Sequence, residues 1–405
     1  MALIEPPRAD PEAISRLSEK AGLVLERARE AALEPNHRKI LRRWTLTEVA
    51  ELLGTTAKIV SSRIEKMNLP TGEREGKRRL FTLEDIHAIQ ESLGTLPRQR
   101  FAIAAPVVIA VANFKGGVGK TSTAVNLAQY FALKGYRTLA VDLDAQASLT
   151  GLFGLLPDTE VPEDKTANPF FYGPDIGGDS WTGTLASAIQ STYWAGLDLL
   201  AANLSLYGAE FALSKRQNSE EGFAFWSPLK QGLATVADRY DVVVIDTPPA
   251  LSFVTTNAIY AADGLIIPVP PAMLDFASAT HFFSLLKEVL DAITTNEGRP
   301  KVYDFLSLLI AKYQHGNQVH QQLAAWVRGI FGDYTLPSPM LLTTVVQNIG
   351  PQLLSIYEVQ DYKGDSRTFR RALDSINAVS GEVEQQVLAV LNRRQGTMSR
   401  TASAA

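Results

Sequence analysis

The chain has 405 residues, of which 46% are hydrophobic and 20% are charged, a composition typical of a globular protein with two or three domains. The absence of cysteine excludes disulfides, thiolate metal sites and cysteine-ligated iron–sulfur clusters. No apolar run is long enough to span a membrane, and the N-terminus lacks a secretory pattern, so we expect a cytoplasmic protein. Residues 1–100 carry 18 Lys and Arg against 15 Asp and Glu, whereas the remainder carries 21 against 28. This asymmetry favours the N-terminal end for any contact with a polyanion.

The first predicted unit, residues 1–36, is an N-terminal helix. Apolar side chains recur at helical spacing from Ile14 to Ala28, with charged residues between them, and Pro35 ends the pattern. Such a stripe must be buried against something. Packing on a neighbouring domain and dimerisation with a second copy are equally open explanations.

The second predicted unit, residues 41–98, is a DNA-binding domain. A capped helix starting near Thr47 ends at Gly54, and a second helix follows directly, which is the spacing of a helix-turn-helix. A basic hairpin-like segment and a third helix come next, and the combination resembles the winged domains of MerR-type regulators. A helical spacer with a solvated charge run is the alternative. On the DNA-binding interpretation, the second helix and the wing contact DNA through Lys58, Ser62, Arg63, Lys77, Arg78 and Arg79.

The remaining residues, 105–405, predict a doubly wound, mostly parallel α/β domain, because apolar segments of strand length alternate with helical segments. Residues 155–184 are rich in Pro, Gly and Asp and are expected to form an insertion or a flexible loop. The predicted strands are residues 107–112, 137–142, 197–201, 241–246, 264–268 and 305–311.

The most specific motif is V-A-N-F-K-G-G-V-G-K-T-S-T, which lies between the first of these strands and a helix. Glycines at such a position let backbone N–H groups surround phosphates at a helix N-terminus. Lys120 can reach the β- and γ-phosphates, and the Thr121 hydroxyl can ligate Mg²⁺. The loop differs from the general pattern in having Phe114 in place of glycine and an additional lysine. Its predicted nucleotide-binding residues are Lys115, Gly116, Gly117, Val118, Gly119, Lys120, Thr121 and Ser122.

Two later strands end in aspartates, at the sheet edge where parallel α/β folds bind ligands. Asp144 is expected to orient an attacking water or to contact the metal shell, and Asp142 to support its loop. Asp246 is expected to hold Mg²⁺ through water. Lys115 is not needed for the phosphates of its own subunit, so we expect it to reach a partner's nucleotide across a dimer. A solvated surface lysine is the alternative.

These residues carry a family resemblance. The motifs F-K-G-G-V-G-K-T-S-T, D-L-D-A-Q-A-S-L and D-V-V-V-I-D-T-P-P resemble the deviant Walker A ATPases of the ParA/MinD class. The N-terminal helix and winged domain resemble the large ParA partition proteins of plasmids. The C-terminal half is most similar to the RepA partition ATPases of repABC replicons. One departure is Ala145, where the family usually has proline, and this change is expected to loosen the loop.

The resemblance implies a P-loop NTPase that binds ATP or ADP with Mg²⁺, hydrolyses ATP weakly and forms a nucleotide-sandwich homodimer. It implies nonspecific DNA binding on the nucleoid, stimulation by a ParB-type centromere-binding partner, repression of its own operon, and no membrane association. Basic residues of the C-terminal part would bind nonspecific DNA, here Arg367, Arg370 and Arg371, and Pro339 would pack against adenine.

Two other functions remain open from the sequence. One is a transcriptional repressor whose phosphate loop only senses nucleotide, without a partition role. The other is a MinD-like, membrane-cycling ATPase, for which residues 383–394 would have to form an amphipathic membrane helix.

Overall fold

The structure is a computed structural model that describes residues 10–33, 39–76, 78–178, 181–349, 353–360 and 362–404. Lys77, a predicted DNA contact, lies outside the described residues. Helix α1 spans Pro11–Leu33, as the apolar spacing predicts. Its side chains Ile14, Leu17, Leu23 and Val24 are each more than half exposed. The apolar stripe is therefore not covered within a single chain over these positions.

The next elements form a three-stranded antiparallel sheet packed with three helices. Thr45 caps α2 with a capping box that includes Glu48, and Thr82 caps α4 in the same way with Asp85. The sheet order is β1-β3-β2, which gives the hairpin predicted for the wing. The elements are β1 Trp44–Thr45, α2 Leu46–Leu52, α3 Ala57–Met67, β2 Glu73–Glu75, β3 Arg78–Phe81 and α4 Leu83–Leu93.

A short helix, α5 (Pro97–Arg100), lies in the segment that joins this winged unit to the α/β unit. The two units share one hydrophobic core, which runs from Val60 and Phe81 to Leu127 and Phe131 without a break. The predicted division of the chain at residues 36–41 and 98–105 stays a prediction.

The α/β unit is built on a seven-stranded sheet of order β10-β9-β4-β8-β5-β7-β6, and each of the six predicted strands is present. Most strands are buried on both faces, which explains their nearly uninterrupted apolar sequences. β6 is a two-residue antiparallel edge strand that sequence patterning missed. The strands are β4 Val107–Val111, β5 Thr138–Asp142, β6 Gln190–Ser191, β7 Leu197–Leu200, β8 Val242–Asp246, β9 Gly264–Val269 and β10 Phe305–Ile310.

Helices cover both faces of this sheet, and the predicted doubly wound, mostly parallel fold is confirmed. They are α6 Lys120–Leu133, α7 Ser148–Leu152, α8 Pro157–Glu160, α9 Asn168–Gly177, α10 Tyr207–Ser219, α11 Pro228–Ala234, α12 Phe253–Ala261, α13 Met273–Glu297, α14 Gln318–Phe331, α15 Thr344–Ile349 and α16 Ser366–Ala404.

The expectation of a flexible loop over residues 155–184 is wrong for most of that stretch. It contains α8 and α9, and Phe170 and Phe171 of α9 are buried in the core. Pro157 and Pro169 occupy the first turns of these two helices, where the missing N–H costs nothing, whereas Pro174 lies inside α9 beside a kink at Gly173, which has φ 71°. Residues that usually break helices thus start both helices here and bend the second.

Helix α16 packs its apolar side along the α/β core. Val379, Val383, Val387 and Val390 are essentially fully buried at helical spacing. The apolar side chains that a membrane-cycling function would require at the surface are therefore packed in the protein interior.

A buried ion pair ties the start of the winged unit to the α/β unit. The Lys39 ammonium lies 3.0 Å from Glu358, and both side chains are at most 3% exposed. The same ammonium donates to the Leu152 carbonyl at 2.6 Å and to the Tyr193 hydroxyl at 3.0 Å. Burial lowers the pKa of Lys39, and Glu358 acts against this shift. One buried ammonium group therefore joins three segments that are far apart in the chain.

We expect Lys39→Met and Glu358→Gln each to lower the free energy of unfolding by about 3–5 kcal/mol, because each change leaves the other partner buried without its counter-charge. Unfolding in urea measures the effect. Lys287→Ala is the control, because Lys287 and Asp291 form an exposed pair whose removal should change the free energy of unfolding far less. Equal losses for the buried and exposed pairs would contradict this interpretation.

Candidate functional site

The predicted phosphate loop connects β4 to the N-terminus of α6. Gly117 and Gly119 adopt left-handed backbone conformations, with φ of 72° and 101°, which side-chain-bearing residues rarely adopt. The Asn113 amide donates to the Pro268 carbonyl at 2.9 Å, and its oxygen accepts the Lys115 N–H at 3.1 Å. The loop is thus fixed to the end of β9 on one side and opens directly into a helix on the other.

The two loop lysines have different surroundings. Lys120 is buried, and its ammonium donates to the Lys115 carbonyl at 3.0 Å, within the loop. Burial lowers the pKa of Lys120, whereas Asp246 and Asp144 favour its charged form. Lys115 instead extends outward to an ion pair with Asp275 in the first turn of α13. Only Lys120 is placed to act within its own loop.

Phe114 occupies the position where the general loop pattern has glycine. Its ring centroid lies 4.6 Å from that of Phe282, a fully buried residue of α13. The variant residue therefore anchors the start of the loop to α13.

Asp142 and Asp246 face each other in register at the ends of β5 and β8, and both are fully buried. Asp142 accepts hydrogen bonds from the Asp144 N–H at 3.1 Å and from the N–H and hydroxyl of Thr150, both at 2.8 Å. Burial raises the pKa of Asp142, and these hydrogen bonds oppose the shift. The geometry agrees with the expected role of Asp142 as a loop support.

Asp246 is buried without comparable support. Neither carboxylate oxygen has a hydrogen-bond partner among the described residues. Burial and then Asp142 raise the pKa of Asp246, while the nearby Thr121 hydroxyl and the Lys120 charge lower it. An unsupported buried carboxylate beside a hydroxyl fits the oxygen ligands that Mg²⁺ prefers. The described residues contain no group of three or more acidic or His side chains able to hold a metal, so phosphate and water would have to complete the shell.

The loop after β5 is compact despite the alanine that replaces the usual proline. The Ala147 N–H donates to the Asp144 carbonyl at 2.8 Å, and Asp144 also accepts the Gln146 N–H at 2.9 Å. Ala147 itself has a left-handed φ of 54°, unusual for a residue with a Cβ. The Gln146 amide reaches the Tyr207 hydroxyl of α10 at 2.9 Å. Asp144, the candidate water-orienting residue, is half-buried.

Sequence reasoning missed a third lysine at the loop. Lys312 follows β10 with a left-handed φ of 55°, and its ammonium donates to the Gly117 carbonyl at 2.5 Å. No local motif marks Lys312, because it is 195 residues away in the chain. Pro339 lies on the segment that runs beside the end of β10 and is half-buried, with its carbonyl accepting the Ser375 hydroxyl at 2.9 Å.

The predicted DNA contacts of the winged unit are not equivalent. Lys58 and Arg78 are exposed, whereas Ser62, Arg63 and Arg79 are half-buried. The Arg63 guanidinium donates to the Ser92 carbonyl at 2.5 Å, so it also joins α3 to α4.

The C-terminal arginines lie at the start of α16 and are exposed. Arg370 approaches Glu51 of α2 at 3.4 Å and Asp374 at the same distance. Its charge is therefore partly neutralised, and Arg371 interacts electrostatically with Asp365, whose carboxylate also accepts the Arg367 backbone N–H at 3.2 Å. The structure thus brings this cluster next to the winged unit.

Comparison with known proteins places this architecture in a family. A model of an AAA domain matches residues 107–297. The chain is 36% identical over 361 residues to the "Putative replication protein A" of Rhizobium rhizogenes, covering 86% of this chain and 88% of that protein. It is 31% identical over 365 residues to Protein SopA of Escherichia coli strain K12, covering 87% and 90%.

Two solved structures share the fold. One, a "Partition Protein", has a TM-score of 0.60 at 20% identity and covers 92% of this chain and all of its own. The other, a cobyrinic acid a,c-diamide synthase from Mycobacterium smegmatis with bound ADP and magnesium, has a TM-score of 0.50 at 27% identity. It covers 61% of this chain and 91% of its own.

We expect Mg²⁺-dependent nucleotide binding to weaken as the pH is lowered. The pKa of Asp246 is raised, so its protonated form is more populated at low pH, and Mg²⁺ requires the ionised form. Binding should therefore release a proton, which calorimetry in two buffers of different ionisation enthalpy measures.

Asp246→Asn should remove this proton release and the Mg²⁺ requirement together. Comparing the variant with the wild type at each pH cancels the proton lost by the nucleotide's own phosphates. The control is Asp291→Asn, an exposed carboxylate on α13. A variant at Asp246 that kept both properties would place the metal on other residues.

Proposed function

The chain belongs to the ParA class of partition ATPases, and from this premise we propose that it hydrolyses ATP as a nucleotide-sandwich dimer that segregates a plasmid. The proposal rests on the different positions of the Lys120 and Lys115 ammonium groups. The Lys120 ammonium lies inside the phosphate loop, and the Lys115 ammonium extends out of it to Asp275. A phosphate loop that bound nucleotide only within its own subunit would need only the Lys120 ammonium.

The expected chemistry is phosphoryl transfer to water, which depends on positioning and charge neutralisation. Backbone N–H groups from Gly116 to Ser122 would surround the phosphates. Lys120 would neutralise charge on the β- and γ-phosphates. Thr121 and Asp246 would hold Mg²⁺, which when bound neutralises phosphate charge and orients its oxygens. The half-buried Asp144 would orient the attacking water.

A homodimer is supported by apolar side chains on two elements that contact the site. Helix α10 contacts the loop after β5 through Tyr207, and α13 contacts Lys115 through Asp275. These apolar side chains are each more than half exposed, on α10, on the segment just before it and on the first turn of α13. Exposed apolar groups around a polar site are typical of surfaces that bind another protein. In such a dimer Lys115 would contact the partner's nucleotide. The exposed side chains are Leu204, Tyr207, Phe211, Met273 and Leu274.

We further propose that the dimer binds nonspecific DNA on the nucleoid in the cytoplasm and that a ParB-type partner stimulates its hydrolysis. Exposed Arg367 and Arg371 support the DNA contact, with Arg370 contributing less because of its carboxylate neighbours. The winged unit, with exposed Lys58 and Arg78, would bind the operator of its own operon. The half-buried Pro339 would pack against adenine.

Two other functions are less well supported. A repressor that only senses nucleotide would not need a carboxylate such as Asp144 to orient an attacking water. A membrane-cycling ATPase would need a surface helix at residues 383–394, whose apolar side chains are buried. None of the helices in the described part of the chain has the apolar length that crossing a bilayer requires.

We expect Lys120→Ala to abolish ATP binding, and Lys115→Ala to lower kcat by at least about 100-fold while leaving the nucleotide affinity of the monomer within about threefold. Steady-state ATPase assays with DNA and the cognate partner, together with nucleotide titrations, measure both.

Lys287→Ala, an exposed lysine of α13, is the control for the loss of a positive charge. Unchanged turnover in Lys115→Ala would refute the role in trans. Turnover insensitive to DNA and partner would instead favour the nucleotide-sensing repressor.

For DNA, we expect binding to nonspecific duplex in ATP to fall steeply with salt, and Arg367→Ala/Arg371→Ala to reduce the slope of log K against log salt by roughly two. Fluorescence anisotropy between 50 and 300 mM salt measures the slope. Lys58→Ala/Arg78→Ala in the winged unit is the matched double change. It should weaken operator binding and leave the salt slope of nonspecific binding unchanged. The reverse result would assign nonspecific DNA binding to the winged unit and operator binding to the C-terminal arginines.

A further inference from the structure

The backbone of Lys115 is fixed on both sides. Its N–H donates to the Asn113 side chain at 3.1 Å, and its carbonyl accepts the Lys120 ammonium at 3.0 Å. Phe114, the preceding residue, is anchored on Phe282. Any change in what Lys115 contacts must therefore come from its flexible side chain, because the loop beneath it is held.

That side chain is engaged within its own subunit. The Lys115 ammonium forms an ion pair with Asp275, whose side chain is 17% exposed, while that of Lys115 is 36% exposed. Met273 and Leu274, immediately before Asp275, are exposed apolar residues on the face proposed to meet the partner. The ion pair thus lies at the edge of that face, and a lysine held there cannot at the same time reach a second nucleotide.

We propose that Asp275 is a positioning residue that retains Lys115 in its own subunit, so that exchange of this ion pair for the partner's nucleotide is a step of dimer formation. The inference rests on the proposed nucleotide-sandwich dimer. Asp275 makes the exchange conditional, because Lys115 leaves the carboxylate only when the negative phosphates of a second subunit offer a better partner.

The size of the effect follows from the exposure of the pair. A partly exposed ion pair changes an equilibrium by roughly twofold to fivefold, and each dimer would break two of them. Asp275→Asn keeps the shape of the side chain and removes its charge. We expect this variant to dimerise at a protein concentration roughly fourfold to twenty-five-fold lower than the wild type.

Sedimentation velocity of the full-length protein with Mg²⁺ and AMPPNP, over a range of protein concentrations, measures the dimer dissociation constant. Asp275→Glu, which keeps the charge, should behave like the wild type. Asp291→Asn is the matched control, because it breaks the exposed pair with Lys287 farther along the same helix and should change nothing. Nucleotide affinity of the monomer should stay within twofold in all variants.

Two further readouts separate positioning from a structural effect. Raising the salt from 50 to 500 mM should reduce the difference between Asp275→Asn and the wild type, because screening already weakens the ion pair. In a Lys115→Ala background the Asp275→Asn change should have no effect. If thermal unfolding shows that Asp275→Asn is destabilised, Asp275→Ser, which suits a first helical turn, replaces it.

Weaker or unchanged dimerisation of a folded Asp275→Asn would overturn the inference, since Asp275 would then guide Lys115 to its partner or play no part. Failure of the proposed function has a different signature. Lys115→Ala would then turn over ATP like the wild type, whatever the behaviour of the Asp275 variants.

Discussion

The nucleotide site depends on burying two carboxylates side by side at the ends of adjacent parallel strands. Asp142 is supported by three hydrogen bonds from the loop that follows it. Asp246 has no hydrogen-bond partner among the described residues. The nearby Thr121 hydroxyl and the Lys120 charge favour its ionised form. One carboxylate therefore holds a loop, and the other keeps its oxygens available for a cation. Two chemically identical side chains differ in role because only one of them has its hydrogen bonds filled.

The site is packed directly against the winged unit. Helix α6 begins at Lys120 in the loop and ends one residue before Lys134, whose ammonium donates to the Leu52 carbonyl of α2 at 3.4 Å. The ring of His87 in α4 lies 2.8 Å from the Ala132 carbonyl near the same end. A helix about 20 Å long thus joins the phosphate loop to the winged unit. The phosphate loop is therefore connected to the winged unit through the packing of α6, in addition to the covalent linker.

The sequence was sufficient for the features that local chemistry encodes. Central strands buried on both faces have apolar sequences, and the phosphate loop is a contiguous motif, so both were predictable. Long-range partners were not, because nothing near Lys312 or Asp275 in the chain indicates that they meet the loop. Strand β6 was too short to show a period, and the prolines of residues 155–184 were interpreted as loop signals although two of them start helices. The half-buried placement of Arg63 was equally invisible, because it depends on a carbonyl in α4.

At position 114 the variant loop has a phenylalanine, which lacks the backbone freedom of glycine but has a ring that packs against α13. Phe114 packs on Phe282 of α13, and this contact places the next residue, Lys115, beside the first turn of the same helix. The backbone of Lys115 is then held by Asn113 and Lys120, so its long side chain is the one part of the loop start able to exchange partners. Lysine suits that task, since its ammonium is a point charge that needs no bidentate geometry and can leave one anion for another. The aromatic residue and the extra lysine are thus linked, because the packing of Phe114 fixes the position from which the Lys115 side chain extends.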